Sequence, residues 1–528
     1  MGPLSYNRRG VWGGRHAPPS ASLSMDALSL ERQGLAQKAA GRLDEAIATF
    51  TQLVRLTPQA HGAHYNLGNA CLVADRLPEA VEAYRRAVRL SPRFASAHNN
   101  LGLALIALKQ PALAAAPLAR AAALEPSNAG SQHMAGHALL QSNRPGEALP
   151  YLFEANRLAP GLPAITTDLA DALRRTGRLL EVAPLARQAA AAAPDLIAVW
   201  NNLANAERDA GCFEAAAEAS RRALALNPDD PEAHCNLALT LLTTGDLARA
   251  WPHWEYRWHG LAGGRPPFPG PVWDGREIAD GVLYLHAEQG MGDTIQFCRY
   301  APLAAGRARV VLAVQRKLLR LVRSLPMRAE IIADGDPIPD FVAQAPLMSL
   351  PGAFATSAAT IPADIPYLSA DPVMAASWAR RLAGLPGRRV GLVWAGNPDF
   401  PFDTARSIPV AMLDSLNTVA DVSFVSLQVG AGPCPRLQLT DWTAELDDFA
   451  DTAALIAALD LVIGVDTAVV HLAGALGRPV WLLNRYAGDW RWGTAGEGCA
   501  WYRTLRQFRQ PAPGDWATVV AAVTAALI

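Results

Sequence analysis

Small and apolar positions recur at a fixed interval through the first half of the chain. Gly34, Gly68, Gly102, Gly136, Ala170, Ala204 and Ala238 stand 34 residues apart, and Ala46, Ala80, Ala114, Ala148, Val182, Ala216 and Ala250 follow them by twelve. Pro58, Pro92, Pro126, Pro160, Pro194 and Pro228 keep the same period. A period of this size marks stacked supersecondary units. Small residues let two helix axes approach closely, and proline closes a helix because it cannot continue the hydrogen-bond ladder. The pattern predicts seven helix-turn-helix units over residues 27–264. In the last unit Trp251, Trp254 and Trp258 share one helical face, a stripe that calls for burial under whatever follows the array.

From Gly260 to Pro271, eight of twelve residues are Gly or Pro, and helical periodicity stops. Short apolar runs follow at Val282–His286, Arg309–Val314, Val390–Trp394, Val422–Leu427, Leu459–Val465 and Pro479–Leu483, alternating with amphipathic stretches. That alternation predicts βα units with parallel sheets. A break near Gly384–Arg389 divides this α/β region into Rossmann-like halves, 265–385 and 386–528, with a site expected in the cleft between them.

Composition narrows the function classes. A chain of 528 residues with 51% hydrophobic and 18% charged residues is folded and too long for one core. Its 47 basic and 48 acidic residues leave no surplus to neutralise a phosphate backbone, so nucleic acid is not expected as the main partner. Lysine occurs only at Lys38, Lys109 and Lys317, so a phosphate held by a cation here is held by arginine. Six scattered cysteines without a C-x-x-C pair fit a reducing cytosol. Residues 1–26, rich in Arg, Gly, Pro and Ser, are expected to be a disordered tail, with no secretory signal and no membrane span.

Two strand-to-helix junctions carry the candidate chemistry. The first runs from His286 through Glu288, Gln289, Gly290 and Gly292 to Asp293 and Thr294. Its glycines permit a tight turn and close approach of a ligand, and Asp293 lies at the carboxyl edge of a strand. Read from spacing alone, Asp293 is either a helix N-cap or a catalytic carboxylate. The second junction places Asp466 or Thr467 as the cap of a helix that carries His471, Gly474 and Gly477. Free N–H groups and the positive dipole end at a helix start favour a diphosphate. In the repeats, Asn66, Asn100, Asn202 and Asn236 share one register position, interrupted by Met134 and Asp168. Their amides either hold a peptide backbone in the groove or bond within their own helices.

The repeat register resembles the tetratricopeptide repeat, whose groove commonly holds an extended peptide. The Gly290–Asp293 and Asp466–Pro479 segments resemble the family 9 glycosyltransferases, the heptosyltransferase group, over a span from about Trp273 to the C-terminus. The resemblance implies a GT-B fold, Asp293 as base, and a nucleotide-sugar bound mainly by the second half with no metal or other cofactor. It implies inversion by single displacement. Where that family has a phosphate-binding Lys, Trp394-Ala-Gly-Asn397 here leads on to Asp403, Arg406 and Ser407, so Arg406 takes the role and ADP-heptose is not assumed. Asn397 and Ser407 belong to the same donor-binding set, and Trp490, in Asp489-Trp490-Arg491-Trp492, is placed either against a sugar or base or in the core. The expected function is a cytosolic glycosyltransferase acting on a polypeptide held by the repeats, free to oligomerise. The alternatives are an O-GlcNAc-transferase-like enzyme, and a scaffold with a degenerate, non-catalytic α/β module.

Overall fold

The computed structural model describes residues 24–260, 264, 268–397, 403–430 and 437–528. Most of the expected tail, and residues 261–263 and 265–267 of the Gly/Pro stretch, lie outside the described residues. The chain forms two compact units, Met1–Pro194 and Asp195–Ile528. Among the described residues no helix is long and apolar enough to cross a membrane.

Among the described residues the first unit holds five helix pairs: Met25–Ala39 with Leu43–Leu56, His61–Val73 with Leu77–Leu90, Ala95–Ala107 with Pro111–Leu124, Ala129–Gln141 with Pro145–Leu158, and Pro163–Arg175 with Val182–Ala192. The array begins two residues earlier than the sequence pattern suggests. Ser24 accepts a hydrogen bond from the Ala27 N–H and so starts the helix at Met25. Every second helix of a pair stops two residues before its proline, from Leu56 before Pro58 to Ala192 before Pro194. The periodic small residues are contact points. A Cβ at Gly34 would lie 2.7 Å from the Phe50 ring, and one at Gly102 would overlap Leu118 Cγ.

These contacts separate two chemically identical substitutions. Gly102→Ala gains about 1 kcal/mol of helix propensity but forces Leu118 aside at a cost of about 1–3 kcal/mol. Gly146, in the first turn of the Pro145–Leu158 helix, has no described atom within 4 Å of where an added methyl would sit, so Gly146→Ala keeps a propensity gain. Thermal unfolding is expected to show a lower melting temperature for the first variant and a higher one for the second. Shifts of the same sign would remove the packing explanation.

The second unit opens with the last two helix pairs, Ile197–Asp209 with Phe213–Leu226 and Pro231–Thr244 with Leu247–Trp254, which completes the seven expected. Two parallel sheets follow. Strands β1 (Val282–His286), β2 (Arg309–Val314), β3 (Glu330–Ala333) and β4 (Ala343–Pro346) pair in the order β3-β2-β1-β4. Strands β5 (Arg388–Val393), β6 (Val422–Ser426), β7 (Leu439–Thr440), β8 (Leu461–Val465), β9 (Val480–Asn484) and β10 (Leu505–Arg509) pair in the order β10-β9-β8-β5-β6-β7. Both are doubly wound. Strand order reverses between β1 and β4 in the first sheet and between β5 and β8 in the second, and ligands of such sheets bind beyond the carboxyl ends at these points.

The tryptophan stripe is covered as its spacing requires. Trp251 Nε1 donates to the Thr356 carbonyl at 2.7 Å, and Trp251 and Trp254 meet Trp490 edge-on at 6.3 and 6.2 Å between ring centroids. Beside them Arg257 donates to both oxygens of Glu288, at 2.6 and 2.9 Å, and to Ser349 Oγ. Both partners are buried, so breaking the pair from one side leaves an uncompensated charge.

Candidate functional site

The first junction leaves β1 through Ala287, Glu288 and Gln289 and enters the helix Met291–Phe297. Gln289 has φ +55°, a left-handed conformation uncommon for a non-glycine residue. Gly290, not Asp293, is the N-cap. Asp293 sits three residues into the helix and reaches back, its Oδ2 accepting the Gly290 N–H at 2.9 Å. Its other oxygen, Oδ1, accepts from Arg491 Nη2 at 2.5 Å.

The second junction is a hydrogen-bonded patch joining the ends of β5 and β8. The Gly396 N–H donates to Ser407 Oγ at 3.0 Å, and Ser407 Oγ donates to Asp403 Oδ2 at 2.7 Å. Arg406 donates through Nε to Asp403 Oδ1 at 2.8 Å and through Nη1 to the Asp466 carbonyl at 3.3 Å. Gly396 is required here, because a Cβ would overlap both Arg406 Nη2 and Asp403 Oδ1. Asn397 is exposed at the edge of the patch. Thr467 caps the helix Ala468–Ala475 by position without a side-chain bond, and its Oγ1 is buried with no hydrogen-bond partner among the described residues.

The junctions meet. A Cβ on Gly292 would lie 3.0 Å from His471 Cδ2 and 3.5 Å from Ala468 Cα, so the two helix starts are in close contact. Arg491 ties them together from the 3₁₀ turn Trp490–Trp492, after β9. Besides Asp293 it binds Asp489 Oδ1 at 2.9 Å and Gln296 Oε1 at 2.5 Å. Spacing does not reveal this residue, since Asp293 and Gln296 are 198 and 195 positions away.

One guanidinium thus faces several carboxylates in a desolvated place. Burial pushes Asp293 above the usual carboxylate range, with Arg491 pulling it part of the way back. Asp466 is likewise raised by burial and by the neighbouring Asp489 charge. For Asp489 burial acts in the same upward direction, but Arg491 overcomes it and holds the carboxyl below its ordinary value. Burial, helped by the Arg491 charge, lowers His471 to about 3, so the imidazole is neutral at pH 7. Its Nδ1 lies 2.9 Å from the Tyr502 hydroxyl, and its Nε2 is 3.9 Å from Asp466 Oδ1.

Several expected site residues have other duties. Glu288 turns away into the Arg257 pair and also accepts the Met348 N–H, so it does not face an acceptor. Gly474 serves packing, since a Cβ there would lie 2.5 Å from the Tyr502 ring. Trp490 is 5% exposed among Trp251, Trp254, Phe297 and Trp501, which places it in the core and not against a sugar or base.

The asparagine register is also corrected. Asn66 donates to Glu31 Oε1, Asn100 to Asn69 Oδ1 and Tyr65 Oη, and Asn236 to the Asn201 carbonyl. These bonds run to the preceding repeat rather than within one helix, and Asn66 and Asn236 are buried. Asn202 is half-buried at the same register position.

Comparison with known proteins matches residues 31–93 and 77–129 to the tetratricopeptide repeat and 204–245 to the TPR repeat. Residues 444–497 match glycosyltransferase family 9 (heptosyltransferase), a narrower stretch than the sequence suggested. It contains Asp466, Thr467, His471 and Arg491 but stops short of Asp293 and Arg406. Protein FlbA of Caulobacter vibrioides (strain ATCC 19089 / CIP 103742 / CB 15) is 29% identical over 323 residues, 55% of this chain and 54% of FlbA. The chain therefore spans about half the length of that relative. Among solved structures, YrrB, a TPR protein with an unusual peptide-binding site, is 21% identical with a TM-score of 0.33, covering 35% of this chain and 95% of YrrB. PilF of Pseudomonas aeruginosa is 20% identical with a TM-score of 0.33, covering 39% of this chain and 94% of PilF. The repeats in sequence and helix pairing, the doubly wound sheets, and the matched segment where the two junctions meet make this chain similar to the tetratricopeptide repeats in its first half and to glycosyltransferase family 9 (heptosyltransferase) over residues 444–497.

Proposed function

We propose that the chain transfers a sugar from a nucleotide-sugar to a hydroxyl of a polypeptide held by the repeats, in the cytosol. The observation that carries this reading is the contact of the two junctions, with Asp293 on one side and the Thr467–His471 helix start on the other. The nucleotide diphosphate is assigned to the second half, beside Gly396, Asn397, Arg406, Asp466 and Thr467. In the transfer step the acceptor oxygen attacks the anomeric carbon as the bond from that carbon to the diphosphate oxygen breaks. Asp293 takes the acceptor's proton, and the departing charge is met by the helix N–H groups and Arg406. Asp293's burial makes it a better base than an exposed carboxylate. A single displacement inverts the anomeric centre.

Thr467 gives a direct test of donor binding. Its buried hydroxyl lacks a partner among the described residues, so Thr467→Val removes an unsatisfied group and is expected to leave the fold as stable or more so. If the hydroxyl bonds the donor, the same change weakens nucleotide-sugar affinity about tenfold, the worth of one such bond. Calorimetry against a panel of nucleotide-sugars, beside thermal unfolding, reads both effects. Unchanged affinity for every donor that the wild type binds would take Thr467 out of the site.

A second reading draws on the engagement of both Asp293 oxygens, one by the Gly290 N–H and one by Arg491. On that reading the α/β region binds a nucleotide-sugar without transferring it, and the repeats act as a scaffold. Donor turnover, including slow hydrolysis, separates the two.

A further inference from the structure

We propose that His133, His137 and Asp168, in the repeats, form a binding site for one divalent transition-metal ion of the zinc class. His133 and His137 are one turn apart on the helix Ala129–Gln141 and so share a face, and Asp168 lies on the first helix of the next pair, Pro163–Arg175. Asp168 Oδ2 is 2.8 Å from both His133 Nε2 and His137 Nδ1. The three ligand atoms lie within 4.8 Å of one another, and among the described residues this is the one group of three His, Cys, Asp or Glu so arranged.

The bland account is a hydrogen-bonded seam between repeats, and the fold itself sharpens the comparison. At an earlier seam Asn100 reaches Tyr65 and Asn69, 35 and 31 residues back. Asp168 reaches His133 and His137 at the same separations of 35 and 31. The repeat therefore fixes the geometry, while the residue types differ: an amide, a phenol and a second amide at one seam, two imidazoles and a carboxylate at the other. Only the second set can coordinate a metal tightly. Two imidazole nitrogens and a carboxylate oxygen suit zinc, and equally nickel or cobalt, better than magnesium or calcium.

Access and outer support fit the same assignment. The His133 side chain is 7% exposed, while His137 and Asp168 keep 20% and 16% exposure, which leaves an open side for a fourth ligand, water or a side chain of a bound polypeptide. Zinc–ligand distances of about 2.0–2.2 Å require the carboxylate to draw back and the rings to close around the ion. A neutral ring vacates the coordinating nitrogen by carrying its proton on the other one. For His137 that is Nε2, 2.9 Å from the Gln141 amide, whose oxygen can turn to accept the N–H.

The test uses the full chain after chelator treatment and gel filtration, with zinc chloride alone as the probe. One zinc per chain is expected by elemental analysis, and cobalt(II) is expected to give tetrahedral d–d bands without thiolate charge-transfer absorption. His137→Gln and Asp168→Asn should each weaken zinc binding by more than about tenfold, as loss of a ligand must exceed loss of an outer-shell partner. Asp168→Asn keeps an acceptor for both imidazoles, so it reports on metal binding if His137→Gln fails to fold by circular dichroism. No zinc uptake by the wild-type chain at micromolar concentrations, or equal uptake by wild type and the folded variants, would overturn the proposal and leave a hydrogen-bonded seam.

Discussion

Arg491→Met is expected to destabilise the second compact unit by about 3–5 kcal/mol, the cost of removing one partner from a buried ion pair. The side chain is 8% exposed and answers both Asp293 and Asp489, so no single carboxylate loss is equivalent. The pH dependence has a definite sign. Without the guanidinium, burial raises Asp293 and Asp489 above their unfolded values, so the variant retains stability at low pH and loses it as pH rises through the folded-state values. Chemical denaturation of variant and wild type at pH 5 and pH 8 measures this. A gap that does not widen at the higher pH would show that Arg491 does not oppose the carboxylates energetically.

Asp293→Asn is expected to lower sugar transfer by at least about a hundredfold while leaving donor affinity near wild type, the scale for a lost general base. Asn preserves shape and can still accept the Gly290 N–H, so the helix start is kept. It removes the negative charge against Arg491, and a moderate loss of stability accompanies the kinetic effect. Saturating-donor transfer rates, donor affinity and melting temperature, measured on the same preparation, separate the contributions. Transfer close to wild type, despite the lost charge, would sink the base assignment and favour the binding-only reading.

Legibility follows burial and sequence distance. Runs such as Val282–His286 and Arg309–Val314 match β1 and β2 residue for residue, because interior parallel strands are apolar on both faces. The strands that the pattern does not reveal are short or mixed: β3 begins with exposed Glu330, β4 reads Ala-Gln-Ala-Pro, and β10 carries Arg506 and Arg509. The 34-residue register reveals the helix pairs because one contact geometry is reused, Gly34 against Phe50 and Gly68 against Tyr84. The candidate site is readable only as two separate junctions. Their connection rests on Arg491, whose partners Asp293 and Gln296 lie nearly two hundred residues away, and on the Asp403–Arg406–Ser407 bonds that fold beneath Gly396. The duties of Glu288 and the choice between the two readings of Trp490 are not legible for a related reason, since their partners Arg257, Trp251 and Trp254 belong to the end of the repeat array.

The edge-on packing of Trp251 and Trp254 against Trp490, with Arg257 locked to Glu288, constrains how such a protein can diversify. The helix pairs between Ile197 and Trp254 share an apolar core with the sheets, and the residue after Trp490 is the arginine that holds Asp293. Recombination that exchanged those pairs for foreign repeats would strip Trp490 of its cover and disturb the ion cluster beside it. The repeats upstream of Asp195 belong to the other compact unit, so new recognition surfaces are gained most readily by adding, losing or shuffling repeats there. The C-terminal pairs stay with the sheets whose core they share, as an adaptor onto which different arrays can be spliced.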